Sequence, residues 1–325
     1  MSHRSKYLVG VDLGGTNIVA GALAEDGSDV LALRSEPTRP DQGADAVVDR
    51  IVRMIDTVIA ETIAQTGAKR EDMIGVGVGA PGPLDRERGI VVTTPNLGWT
   101  NFPLRDVISE RSRLPVRIDN DANCATLGEW WLGAARGAEN VIGMTIGTGI
   151  GGGVIIGGRL YHGASDVAGE IGHATIDITG RRCKCGNYGC LEAYASGPSI
   201  ADRAREAISS DDCLMLKMAG GDASRITAAT VYEAAKRGDD VALDVVRETS
   251  RFLGAGVANL LNIFNPDVVV ICGGVTQAGD TLFAPLRREV RKRAFKPAVD
   301  ACRIVPGVLA AAGVVGAVAA YKQQD

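Results

Sequence analysis

Three short apolar runs open the chain, at residues 7–13 (YLVGVDL), 18–24 (IVAGALA) and 29–35 (DVLALRS), separated by GGTN and by an EDGS turn. Runs of this length bounded by Gly, Asp, Asn and Ser predict an antiparallel meander. Ala44–Gln65 then places Val47, Ile51, Met54, Ile55, Val58 and Ile59 at helical spacing, so a helix follows the strands. Ile74–Gly79, Val91–Thr94 and Val116–Asp119 read as buried strands, the last preceded by a helical Leu104–Arg113. This alternation of strand and helix predicts an α/β layer. Residues 141–147 (VIGMTIG) and 151–157 (GGGVIIG) repeat the opening design of strand, glycine turn and strand, which suggests a duplicated domain. A loop-rich stretch (158–198) leads to helices around Ser199–Ile208, Thr230–Arg237 and Asp240–Asn262. A last strand, Gly-Gly turn and helix start lie at 268–279, and the Ala/Val-rich helix Ala311–Lys322 is expected to pack back on the first domain.

The length of 325 residues fits two domains at roughly 100–200 residues each. Lys and Arg total 35 against 39 Asp and Glu, and the net charge of −4 argues against a polyanion-binding surface. The 42 glycines fall in short runs without a three-residue period, which excludes collagen and favours turns whose N–H groups face phosphate. With aromatics at 4%, stacking platforms for single-stranded nucleic acid are not expected. No long apolar segment opens the chain, so neither signal peptide nor membrane anchor is expected. Cys124, Cys213, Cys272 and Cys302 stand singly and the cysteines number seven, as suits a reducing cytoplasm.

Five constellations carry candidate chemistry. VDLGGTN (11–17) ends a strand with Asp12 and lets Gly14 and Gly15 turn the backbone toward an anion, with Thr16 and Asn17 as polar caps. It matches neither common nucleotide fingerprint, and a plain hairpin turn explains it as well. IGTGIGGG (146–153) and Cys272-Gly273-Gly274 place two more glycine turns after buried strands, which fits a nucleotide held between two similar domains. RIDNDANCATLGEWW (117–131) runs from a strand through four polar residues into a helix. Capping by Asn120 or Asp121 accounts for one of them, and a carboxylate here can serve as a general base toward a hydroxyl. In GEIGHATIDITGRRCKCGNYGCLEAYASG (169–197), His173, Cys183, Cys185 and Cys190 offer one imidazole and three thiolates, a closed tetrahedral set for structural zinc. Glu170 and Glu192 beside them would then be rigid acceptors for a polyhydroxylated ligand. APGPLD (80–85) and TTPNLGWTNFPL (93–104) read as loops lining a cleft, with Asn96 and Asn101 as amide contacts.

Taken together these residues resemble the ROK family of repressors, open reading frames and sugar kinases, especially its glucokinases, from Val11 to about Gly316. DLGGTN (12–17) is similar to the family's first phosphate motif, GTG (147–149) to its second, NDAN (120–123) to its catalytic segment, GEIGH (169–173) to its sugar contact and CKCGNYGCLE (183–192) to its zinc motif. The resemblance implies an actin-like ATPase (ribonuclease H-like) fold, two α/β domains around a central cleft with a zinc-bound loop. The domains would be residues 1–120 plus a C-terminal helix at about 308–325, and residues 121–307. It implies ATP-dependent phosphorylation of glucose at the 6-hydroxyl with Asp121 as base. Asn96, Asn120, Asp121, Glu170, His173 and Glu192 would bind sugar. Gly14, Gly15, Thr16, Asn17, Thr148 and Gly149 would meet phosphates, Asp12 would help hold hydrated Mg²⁺, and Gly273 and Gly274 would flank adenosine. Zinc would be structural, bound by His173, Cys183, Cys185 and Cys190, with one ring nitrogen of His173 left for sugar. Many family members carry Lys at the position of Asn17. N-acetylmannosamine, N-acetylglucosamine, fructose or mannose as substrate, polyphosphate as donor, and a non-catalytic sugar sensor remain alternatives. A cytoplasmic homo-oligomer, dimer or tetramer, is expected, with no nucleic-acid or membrane partner and no DNA-reading domain ahead of residue 11.

Overall fold

The computed structural model of the chain describes residues 5–209 and 213–323. In chain order, β1 (Tyr7–Leu13), β2 (Asn17–Ala24), β3 (Val30–Pro37), α1 (Ala44–Thr66) and β4 (Met73–Ala80) come first. Next are β5 (Leu84–Asp85), β6 (Ile90–Thr94), β7 (Trp99–Phe102), α2 (Leu104–Ser112), β8 (Val116–Asn120) and α3 (Asp121–Trp131). A second series follows with β9 (Val141–Ile146), β10 (Ile150–Ile156), β11 (Arg159–Leu160), α4 (Glu192–Ala195), α5 (Gly197–Ala207), α6 (Leu214–Met218) and α7 (Ala228–Lys236). It closes with α8 (Asp240–Phe264), β12 (Val268–Cys272), α9 (Asp280–Arg293), α10 (Lys296–Ala301), β13 (Arg303–Pro306) and α11 (Ala312–Gln323).

The contacts divide the chain into unit 1, Met1–Ala138 with Gly153–Gly169 and Val308–Asp325, and unit 2, Glu139–Gly152 with Glu170–Gly307. The expected division at residue 120 differs from this grouping, because α3 packs on α11 inside unit 1. One five-stranded sheet has the order β3-β2-β1-β4-β8 and a second has β11-β10-β9-β12-β13, the same design twice. In the first, β1, β2 and β3 form the antiparallel meander, while β1, β4 and β8 run parallel. The Val91–Thr94 run does not join either five-stranded sheet; it is the middle strand of a small β5-β6-β7 sheet.

Unit 1 owes its layering to the period of two along its central strands. Tyr7, Val9, Val11 and Leu13 of β1 and Val76 and Val78 of β4 share a core with the apolar faces of α1 and α2. On the opposite side Leu8 joins Val314, Val315 and Val318 of α11. Gly10, Gly75 and Gly77 fall on that side, and α11 lies directly on them. A Cβ added at Gly77 would stand 2.0 Å from the Ala317 carbonyl oxygen, and one at Gly10 would stand 2.2 Å from that of Val314. Strand glycines of this kind mark a close approach of another backbone. Gly77→Ala is therefore expected to cost about 3 kcal/mol, at the upper end of overpacking effects. A urea titration should show a lowered midpoint with an unchanged slope.

In unit 2, β9, β12 and β13 run parallel. Thr145 and Cys272 face one another at the ends of β9 and β12, just before the two glycine turns. Residues 274–278 form a short 3₁₀ turn, and the regular helix starts only at Asp280. Among the described residues no helix is long and apolar enough to cross a membrane.

Candidate active site

The candidate residues of unit 1 gather at the carboxyl ends of its parallel strands, the edge where open α/β sheets bind ligands. Asp12 of β1 pairs in register with Gly79 of β4, and Gly79 with Asp119 of β8. The GGTN turn joins β1 to β2 tightly, with the Gly14 N–H on the Asn17 carbonyl at 2.9 Å. It is braced from behind. The Thr38 hydroxyl donates to the Gly14 carbonyl at 2.6 Å, and the buried Arg50 guanidinium donates to the Thr38 carbonyl at 2.6 Å. Gly15 stands against Asn96, where an added Cβ would meet Asn96 Cβ at 3.2 Å. Turn and Pro-Asn loop are thus brought together, and Thr16, Asn17 and Asn96 are exposed.

Burial pushes the Asp12 carboxyl up to about 6. Its Oδ2 sits at the start of α11, where a Cβ at Gly313 would come within 2.3 Å. The sign of its contribution follows. The folded chain holds this proton more tightly than the unfolded one, so stability falls as pH rises from the ordinary value of 3.8 to about 6. Asp12→Asn removes that penalty, by about 3 kcal/mol at most above the window and by nothing below it. Melting curves at about pH 3.5 and about pH 8 should show stabilisation only at the higher pH.

The polar run at 119–123 resolves into distinct roles. Asn120 is the N-cap of α3, its Oδ1 accepting from the N–H groups of Ala122 at 2.9 Å and Asn123 at 3.2 Å. Asp121 opens the helix half-buried, with Oδ1 accepting from Ala122 N–H at 2.8 Å. Cys124 lies fully buried beneath. Burial first, then the carboxylates Asp119, Asp12 and Asp121, push its thiol well above the ordinary range, which makes it inert packing.

In unit 2 the second glycine turn closes through the Gly147 N–H on the Gly149 carbonyl at 2.9 Å. The Gly197 N–H, at the start of α5, donates to the Gly147 carbonyl at 2.8 Å. Gly273 has φ of 94°, and a Cβ there would lie 2.3 Å from the Ile146 carbonyl, so this crossing admits only glycine. Gly147, Thr148 and Gly274 open onto a cavity of about 720 Å³. Ala228, Tyr232 and Val275 give it apolar walls, and Arg205, Glu233 and Lys236 give it polar ones. Its size and mixed lining suit a nucleotide-sized ligand. Apart from Val275 in the 274–278 turn, these wall residues escaped the sequence reading because α5 and α7 are legible as helices while the face each turns to the cavity is set by tertiary packing.

The cysteine loop folds back on itself. Ligating atoms of His173, Cys183, Cys185 and Cys190 lie within 4.8 Å of one another, a group that can hold a metal ion. His173 turns Nδ1 toward Cys183 Sγ at 3.7 Å and Nε2 toward Glu170 at 4.0 Å. Glu192 ties this loop to the glycine turn, its Oε2 accepting from Ile150 N–H at 2.8 Å. That oxygen would stand 2.6 Å from a Cβ at Gly149.

The sequence profile of the ROK family matches residues 8–324. A glucokinase of Halalkalibacterium halodurans is 38% identical over 322 residues, 98% of this chain and 96% of that protein. A glucokinase of Thermotoga maritima is 37% identical, covering 98% of both chains. Among solved structures, a ROK family glucokinase from Streptomyces griseus in complex with glucose and AMPPNP superposes with a TM-score of 0.82 at 36% identity. The match covers 98% of this chain and 99% of that one.

Proposed function

The chain belongs to the ROK family, and we propose that it transfers the γ-phosphoryl group of ATP to the 6-hydroxyl of glucose, with Asp121 as the general base. The observation that carries this reading is the near-full-length likeness to glucokinases, one of them bound to glucose and an ATP analogue. Asp121 takes the hydroxyl proton as the sugar oxygen bonds to the γ-phosphorus and the bond to ADP breaks, and positioning with electrostatics does the rest. Asn96, Asn120, Glu170, His173 and Glu192 bind sugar hydroxyls in this reading. Gly14, Gly15, Thr16, Asn17, Thr148 and Gly149 meet the phosphates, and Gly273 and Gly274 flank the adenosine.

Asp12 suits a hydrated Mg²⁺: it is a hard oxygen donor, largely buried, with no cationic partner among the described residues. Bound there with ATP, Mg²⁺ supplies positive charge against the phosphates. His173, Cys183, Cys185 and Cys190 suit a structural zinc, three thiolates and an imidazole with no open position. His173 would then ligate through Nδ1 and keep Nε2 for sugar.

A coupled assay of ADP release tests the reading. ATP·Mg²⁺ is offered with glucose, mannose, fructose, N-acetylglucosamine and N-acetylmannosamine, beside polyphosphate as donor. Preference for glucose with ATP is expected. Preference for an amino sugar would overturn the substrate, and no turnover with any sugar would overturn the enzyme.

A further inference from the structure

Behind the catalytic segment lies a polar cluster, centred on one buried carboxylate, that the proposed chemistry does not use. Asp119 is 1% exposed, yet its carboxylate is fully engaged. Oδ1 accepts from the Asn120 N–H at 2.8 Å and from Asn123 Nδ2 at 3.0 Å, both at the start of α3. Oδ2 lies 2.9 Å from His162 Nε2 and 3.1 Å from Arg86 Nε. Arg86 is held in turn by Asp166, which accepts from the Arg86 N–H at 3.1 Å and pairs with its guanidinium at 3.5 Å. Asp166 has φ of 58°, in the left-handed region that non-glycine residues seldom occupy. All these groups lie in unit 1, and Asp119, His162, Arg86 and Asp166 line one polar cavity of about 850 Å³.

A buried carboxylate is retained only with paired charge and satisfied hydrogen bonds. Here the partners come from two segments remote in sequence, and both act on the one oxygen that faces away from α3. We propose that His162 and Arg86 are positioning residues for the transfer reaction. They fix the rotamer of Asp119, whose other oxygen then sets the entry of the chain into α3 and hence the place of Asn120 and Asp121. This inference rests on Asp121 being the base. It assigns to His162 and Arg86 no contact with substrate.

A double-mutant cycle separates the two ideas. His162→Phe removes the donor, and a misplacement of the base by a fraction of an ångström to one ångström is expected to lower kcat roughly 10- to 100-fold. KM for ATP should change less than about twofold, and His162→Gln, which restores an N–H donor, should recover kcat to within about fivefold of wild type. In an Asp121→Asn background the same His162→Phe change should lower kcat less than about threefold, because the base it positions no longer acts and Asn120 contributes through sugar binding, which is read in KM for glucose. Equal losses in both backgrounds, or no loss in the wild-type background, would overturn the positioning role. Asp121→Asn retaining near-wild-type kcat would instead sink the base assignment itself. Melting curves establish that each variant is folded, and Arg86→Met with Arg86→Lys as its conservative partner carries the same cycle where His162→Phe fails to fold.

Discussion

Asp121→Asn should bind glucose with an affinity within about threefold of wild type while losing two or more orders of magnitude in kcat, the usual consequence of removing a general base. The substitution keeps the size of the side chain and leaves an amide carbonyl oxygen at Oδ1, which can still accept from Ala122 N–H, the bond that Asp121 makes at 2.8 Å. The cap of α3 belongs to Asn120 and is untouched. What disappears is the proton acceptor. Equilibrium glucose binding and steady-state kinetics on the same preparation check both halves, and a variant with near-wild-type kcat would remove Asp121 from the mechanism. Loss of binding together with kcat would point to a sugar-holding role instead.

Much of this architecture is legible in the sequence because its local signals agree with its tertiary environment. The meander shows as short apolar runs bounded by turn residues, and α1 carries a clean period of about 3.6. In β4 the alternation of glycine with valine reads simply as a buried strand, and only the structure shows that Gly75 and Gly77 are the floor for α11. The elements that escape are short, at edges, or carried by residues of mixed preference. Residues 99–102 form β7 although Asn101 takes φ of 49°, and β13 ends in Pro306 at the margin of its sheet. The helix α9 holds Pro285 and a strongly basic end, so its apolar stripe of Leu282, Phe283, Leu286 and Val290 is thin.

The same distinction runs through the candidate site. Motifs contiguous in sequence are visible, since the GGTN turn, the NDAN segment and the cysteine loop each contain most of their own geometry. Constellations assembled from distant segments are not. Asp119 looks like one more polar residue before a helix until His162 and Arg86 arrive on its far oxygen. The division between units is hidden for a similar reason, because residues 153–169 return to the first unit after the chain has left it.

A cysteine loop kept free of zinc should disable sugar use before it disables nucleotide binding. Cys190 is fully buried and hydrogen-bonded by Asn187 Nδ2 at 3.4 Å, and burial with its neighbouring thiols pushes its own thiol up to about 12. Without a cation, such a group stays protonated; a bound zinc stabilises the thiolate, so binding releases protons and is coupled to folding of the loop. Purified protein is therefore expected to carry one zinc per chain by elemental analysis, and Cys190→Ser to lose it. His173 would then have no zinc at Nδ1, and the Glu192 side chain would be held by the Ile150 N–H and the Cys183 thiol instead of by a metal-fixed loop. The kcat/KM for glucose should fall at least roughly tenfold, the scale on which metal surroundings affect activity. KM for ATP should move by less than about threefold, because the cavity between Thr148, Tyr232 and Gly274 is built from other elements of unit 2. Full activity in a zinc-free protein, or an equal loss toward both substrates, would show that the loop does not organise the sugar contacts through its metal.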